Sequence, residues 1–220
     1  MKRAIMCIML SLLILLGGCD GKIKLEQKNE GFYDEKNDIT YVVCSMLAVR
    51  PLKVGEEYAT DGENTYYTIP WQEPKEFICD NVEGISYVYR ADTLEDITIN
   101  NFEPVAAFVY IEGEASLAVD TFYAAQEYLP EELRGEDRRD DSELVYGIRD
   151  ALKEGERVTV TESEIDSEND FYLRLLSAKY PGLYYTVIFY SDTHGRSYLK
   201  DRGTGESVVA PVDLVVRILG

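Results

Sequence analysis

Leu183 to Tyr190 reads Leu-Tyr-Tyr-Thr-Val-Ile-Phe-Tyr. No other segment constrains the fold as much. Aromatic and β-branched residues dominate it, it is too short for a typical helix, and turn chemistry follows at once in Ser191-Asp192-Thr193-His194-Gly195. Such a run is a strand. Arg196 to Arg202 returns, Gly203-Thr204-Gly205 turns again, and Glu206 to Ala210 follows. The C-terminal part is therefore expected to form a three-stranded antiparallel meander.

The first half has the same texture. Ile39–Leu47, Thr65–Ile69, Glu76–Cys79, Ile85–Arg90 and Val105–Ile111 read as strands, with Glu112-Gly113-Glu114 able to turn the last one back into Ala115–Val119. Arg157 to Thr161 alternates like another. Residues 116–135 fit helix and strand equally, and 213–219 either a short helix or a last strand. One segment is helical without ambiguity: Ser142 to Lys153 lines up Leu144, Val145, Ile148, Ala151 and Leu152 on one face. Asp141 or Ser142 suits its N-cap and Gly155 its end. The expected class is α+β: mostly antiparallel β-sheet with one central amphipathic helix packed on it, in a single domain spanning 31–220.

The N-terminus is of a different kind. Lys2 and Arg3 precede an apolar run from Ala4 to Leu16, and Leu16-Gly17-Gly18-Cys19 closes it. The run has thirteen residues, short of the roughly 20 a spanning helix needs. The pattern resembles the lipobox of bacterial lipoprotein precursors. The resemblance implies that residues 1–18 are a signal peptide, that Cys19 is the lipid attachment site, and that the domain faces outside the cytoplasm, anchored to the cell membrane. Two acyl chains give stable anchoring where one is marginal. Asp20 resembles the inner-membrane retention signal of enterobacterial lipoproteins and carries no such meaning in a Gram-positive envelope. Residues 19–30, mostly polar after the cysteine, are expected to be a flexible tether.

Charge bears on partners. Residues 1–18 hold two bases and no acid, so of 22 bases and 41 acids the chain from Cys19 onward keeps 20 and 41, a net charge of −21. This opposes nucleic acid and anionic surfaces and favours solubility or cationic partners. Seventeen tyrosines lie mostly in strand-like runs, where an apolar ring with a wet hydroxyl suits half-buried positions. An aromatic platform for sugars is the functional alternative.

Candidate chemistry is sparse. With Cys7 in the signal peptide and Cys19 lipidated, Cys44 and Cys79 remain. Outside the cytoplasm they can form a disulfide, closing a loop of about 35 residues and stabilising by roughly 3–4 kcal/mol; the alternative is two buried reduced thiols. His194 is the one histidine and sits in turn chemistry. No Gly-x-Ser-x-Gly elbow, P-loop, dinucleotide fingerprint or His-Glu-x-x-His is present. Glu162, Glu164, Asp166, Glu168 and Asp170 alternate and would share one side of an extended strand, but they lack the Gly and terminal Glu of a calcium loop. A solvated loop or edge is expected there, with no metal and no cofactor. The function expected is a membrane-anchored binding or protein-interaction module for a protein, peptide or sugar. The alternative is an extracytoplasmic hydrolase working through a carboxylate pair.

Overall fold

The computed structural model describes residues 22–29, 31–49, 54–80, 87–111, 118–124, 140–161 and 165–220, with residues 166–169 described by backbone alone. Eight strands come from the first half up to residue 91: β1 Ile23–Lys28, β2 Gly31–Asp34, β3 Ile39–Cys44, β4 Leu47–Val49, β5 Glu57–Thr60, β6 Thr65–Thr68, β7 Phe77–Cys79 and β8 Val88–Ala91. A short helix α1, Ile99–Phe102, leads to β9 Pro104–Ile111 and β10 Asp120–Tyr123. Then follow α2 Ser142–Glu154, β11 Arg157–Val158, β12 Ile165–Ser177, β13 Leu183–Asp192, β14 Ser197–Asp201, β15 Ser207–Val209 and α3 Val212–Leu219.

The chain is mostly β, and its sheets are antiparallel almost throughout, but the strands make two structures rather than one sheet. Seven close into a barrel in the order β1-β2-β3-β8-β7-β6-β5, shut by the parallel pair β1–β5. The others form an open sheet, β10-β9-β12-β13-β14-β15-β11, with β4 pairing the start of β13. Three helices are described: α2 is the expected central one, α3 falls on the segment read as either a short helix or a last strand, and α1 was not expected.

Period-two alternation sorts the barrel residues. Leu25, Phe32, Tyr41, Ala59, Tyr66, Ile78 and Tyr89 pack together inside. Phe32, Tyr66 and Tyr89 meet ring edge to ring face or tilted, with centroids 5.0–5.6 Å apart. The alternate residues Cys44, Phe77, Cys79 and Val88 point out of the barrel into a larger core shared with the open sheet. Leu25, at 1% exposure, corrects the expected tether: the segment 23–28 is a barrel strand. It is polar because only one of its faces is buried. At Gly31 the strands approach so closely that a Cβ would stand 2.1 Å from the Tyr41 carbonyl oxygen.

The open sheet centres on β13, with β12 on one side and β14 and β4 on the other. Leu173, Leu175, Val187, Phe189, Leu199 and Val208 face the shared core. Helix α2 lies over β9 and β10 and buries Val145, Ile148 and Leu152. Its first turn is held by Asp140, whose carboxylate accepts from the Ser142 N–H at 2.9 Å. The predicted run Ile39–Leu47 is broken at Ser45-Met46, so β3 stays in the barrel and β4 crosses to the open sheet. The hairpin expected at 112–114 lies outside the described residues.

One device recurs at the strand turns. Asp34, Asp61, Asp80, Asp192 and Asp201 each stand at or just beyond a strand end. In each, Oδ1 accepts backbone N–H groups of the following connection: Asn37, Glu63 and Asn64, Tyr87, His194 and Arg196, Gly203 and Thr204 respectively. In each, Oδ2 accepts a tyrosine hydroxyl, from Tyr58, Tyr66, Tyr89, Tyr198 and Tyr185 in the same order, at 2.7–3.1 Å. The carboxylate clamps the turn with one oxygen and ties it to a packed ring with the other. Many tyrosines and aspartates are thereby spent on holding turns.

Candidate functional site

The open sheet has a second face, away from the shared core. Cross-strand register lays it out in rows. Tyr110, Tyr172, Ile188, Lys200 and Ser207 stand side by side across β9, β12, β13, β14 and β15. The neighbouring row holds Phe108, Arg174 and Thr186. The same period of two that sends Leu173 and Leu175 to the core sends Tyr172 and Arg174 here.

Arg174 and Thr186 are direct cross-strand partners, and both carry a buried polar atom with no hydrogen-bond partner: Nε of the arginine and Oγ1 of the threonine, in a residue only 1% exposed. Buried polar atoms are normally paired, so adjacent orphans on one face stand out. The guanidinium lies over the Tyr110 ring, 4.9 Å from its centroid, a cation–π contact. Burial pulls its pKa below the ordinary arginine value, with Tyr110 and Tyr184 acting in the opposite direction; it stays a cation. Among the described residues no carboxylate forms an ion pair with it, although the chain has 41 acids.

One row along the sheet a polar cleft of about 570 Å³ opens, lined by Arg157, Thr159, Asp170, Tyr190, Lys200 and Glu206 among others. A second, of about 210 Å³, is lined by Thr98, Asn100 and Lys153 and shares Arg157, Thr204 and Glu206 with the first. The Arg157–Glu206 pair, Nε to Oε2 at 2.8 Å, stands between them. Arg157 is anchored from behind: its Nη2 donates to the Leu152 carbonyl at 2.8 Å and its Nη1 to the Gly155 carbonyl at 3.2 Å. It therefore both closes the C-terminal end of α2 and orients Glu206. Tyr190 donates to Ser207 Oγ at 2.9 Å and stacks on Tyr198 with centroids 5.4 Å apart. Hydroxyls, two cations and two carboxylates thus converge on a space large enough for a small polar ligand.

The residues singled out in the sequence fall elsewhere. Cys19, the expected lipid site, lies outside the described residues. Cys44 and Cys79 are buried free thiols, which corrects the disulfide expectation. The reason is register: both stand opposite Val88, on either side of β8. Two strand spacings put their Cα atoms roughly 9–10 Å apart, beyond the roughly 7 Å a disulfide spans. Burial pushes the Cys79 thiol up to about 12 and raises that of Cys44 too, with Arg90 working against it. His194 is exposed in the β13–β14 turn, held through its backbone. Of the acidic ladder, 162–164 lie outside the described residues. The rest is in the first part of β12, where Ile165 and Asp166 pair with β13 alone; pairing with β9 as well begins only at Phe171, and a register shift between Asp166 and Phe171 breaks the alternation. Asp170 lines the larger cleft.

Sequence reasoning missed Arg174. The available signal was one arginine inside Phe171-Tyr172-Leu173-Arg174-Leu175-Leu176, where a charge has no obvious place. It also missed the outward stripe of α3, where Val212, Val216 and Leu219 are exposed at helical spacing. Among the described residues no three His, Cys, Asp or Glu side chains converge to hold a metal, and no helix is long and apolar enough to cross a membrane. Comparison with known protein families, curated proteins and solved structures gives no match.

Proposed function

We propose that this chain is a lipoprotein held on the outer face of the cell membrane through a lipid on Cys19, and that its folded part is a binding module. The address rests on Lys2-Arg3, the apolar run and Leu16-Gly17-Gly18-Cys19. The binding reading rests on one observation: Arg174 and Thr186 keep hydrogen-bonding atoms unspent, side by side, on an aromatic face beside a 570 Å³ cleft. A ligand with an acceptor group, a carboxylate above all, answers the guanidinium, and the cleft's hydroxyls suit the polar remainder of a peptide or a sugar. The net charge of −21 that follows from the composition argues against nucleic acid.

Capture from detergent-solubilised native membranes, with mass-spectrometric identification, tests the reading. Arg174→Gln is expected to lose the captured ligand at least tenfold with an unchanged fold by circular dichroism. Capture that is indifferent to Arg174 overturns the assignment of this face. The hydrolase alternative draws on Asp170 and Glu206 lining one cleft. Glu206 is committed to Arg157, where the mechanism needs two carboxylates available for acid–base work. A hydrolytic activity abolished by Asp170→Asn and by Glu206→Gln would decide for it.

A further inference from the structure

The connection from β6 to β7 carries the only tryptophan of the chain, Trp71. Ile69-Pro70-Trp71-Gln72 is a β-turn closed by the Gln72 N–H donating to the Ile69 carbonyl at 3.0 Å. Proline at the second position and a φ of +67° at Trp71 mark a type II turn, whose third position ordinarily takes Gly or Asn. A bulky residue there is a true outlier. The turn is held from outside: Gln72 Nε2 donates to the Pro181 carbonyl at 2.6 Å. Gly182 also backs against it so closely that a Cβ would stand 2.5 Å from the Pro70 carbonyl oxygen. Yet the indole these contacts support is 65% exposed. The fold bears a strained backbone and gains little burial in return, the situation in which strain points to function.

Topology says where this turn lies. β1 and β5 run parallel with Ile23 opposite Ala59, and β5 and β6 antiparallel with Glu57 opposite Tyr67. The chain that precedes β1 therefore leaves the barrel at the end where β6 finishes and the Trp71 turn begins. Lys22 pairs with Glu57 at that end. The Tyr41 hydroxyl donates to the Pro74 carbonyl at 2.7 Å, which draws the rest of the β6–β7 connection over the same mouth. Cys19 precedes Lys22 by three residues, at most about 11 Å of chain. The end of β6, from which the Trp71 turn departs, stands about two strand spacings, roughly 10 Å, to the side.

We propose that the Trp71 turn seats in the headgroup region of the membrane and, with the lipid on Cys19, fixes the orientation of the domain on its surface. The inference rests on the lipid-anchor reading. A lipid so close to β1 would hold this barrel end against the bilayer, and the amphipathic indole is the side chain suited to that boundary. Its chain neighbours Ile69, Pro70 and Gln72 are uncharged, and the next charge along the chain, Glu73, is acidic. A zwitterionic surface is therefore the one it fits.

Because Trp71 is the sole tryptophan, its fluorescence reports on this turn alone. The full chain, purified from its membrane and reconstituted into phosphatidylcholine vesicles, is expected to show blue-shifted emission. Lipids spin-labelled near the headgroup should quench it by at least half, and lipids labelled near the bilayer centre much less. The Cys19→Ala protein mixed with the same vesicles is expected to keep unshifted, unquenched emission. If mass spectrometry finds the lipid on Cys19 and the protein floats with the vesicles, but the indole is neither shifted nor quenched, this inference is wrong and the anchor reading survives. If no lipid is found on Cys19, the anchor reading falls and takes this one with it.

Discussion

Tyr185→Phe tests the tyrosine–aspartate turn clamps where they are most buried. The Tyr185 ring is 1% exposed, and its hydroxyl donates to Asp201 Oδ2 at 2.7 Å. Asp201 is itself buried, and its other oxygen holds the Gly203 and Thr204 N–H groups of the β14–β15 turn. The substitution keeps the ring packing and deletes one hydrogen bond to a charged acceptor, worth about 1.5–3 kcal/mol. It also leaves a buried carboxylate oxygen short of a donor, which places the expected loss near 2 kcal/mol. In a chain of this size each kcal/mol moves the thermal midpoint by roughly 2–4 °C, so a fall of about 4–8 °C is expected. Tyr33→Phe is the internal control: it deletes a bond of similar length, 2.8 Å to Asp38, at an exposed site, and should cost under about 0.5 kcal/mol. Urea unfolding of both variants, of Asp201→Asn and of Tyr185→Phe combined with Asp201→Asn closes a double-mutant cycle and gives the coupling energy directly. If Tyr185→Phe is no worse than Tyr33→Phe, or the cycle shows no coupling, the clamps are incidental contacts and the argument from them is wrong.

Acid stability should report on the β5–β6 turn. Burial works against ionisation of Asp61, but the N–H and side-chain amide of Asn64, the N–H of Glu63 and the Tyr66 hydroxyl outweigh it and lower its pKa from 3.8 to about 2. A carboxylate depressed on folding contributes stability that is full above the unfolded pKa and is lost as pH falls toward the folded one. Asp61→Asn should therefore flatten the stability curve between about pH 4 and pH 2; an unchanged slope in that window would count against the assignment. Trp71→Gly relieves a left-handed backbone costing about 1–2 kcal/mol and adds back roughly 0.5–1 kcal/mol of unfolded-state entropy. Chemical denaturation should accordingly show slight stabilisation, and a clear loss would mean the indole packs more than its exposure implies. Thiol labelling of the denatured, unreduced chain purified from its native compartment should modify both Cys44 and Cys79, and protection of the pair would restore the disulfide.

Local chemistry carried much of the fold into the sequence. Leu183–Tyr190 and its two following turns are legible because β-branched and aromatic residues alternate with Gly, Asp and Ser, signals that act within a few residues. Helix α2 is legible for the same reason: one apolar stripe at helical spacing identifies it, and the observed helix overruns the predicted one by a single residue, Glu154. What escaped was decided by partners distant in sequence. Ile23–Lys28 has the composition of a tether and becomes a strand because β2 and β5 pair with it on either side. Cys44 and Cys79 look like a disulfide until β8 is placed between them. Arg174 is an anomaly in an apolar run, and it becomes a candidate ligand contact once Thr186 and Tyr110 stand beside it. Tyrosine and aspartate abundance has no structural meaning by itself; part of it acquires one when the hydroxyls of Tyr58, Tyr66, Tyr89, Tyr185 and Tyr198 reach carboxylates at strand turns. Propensity and turn chemistry are properties of neighbouring residues and can be read along the chain. Barrel closure, register and burial depend on which strands meet, and only the folded chain specifies that.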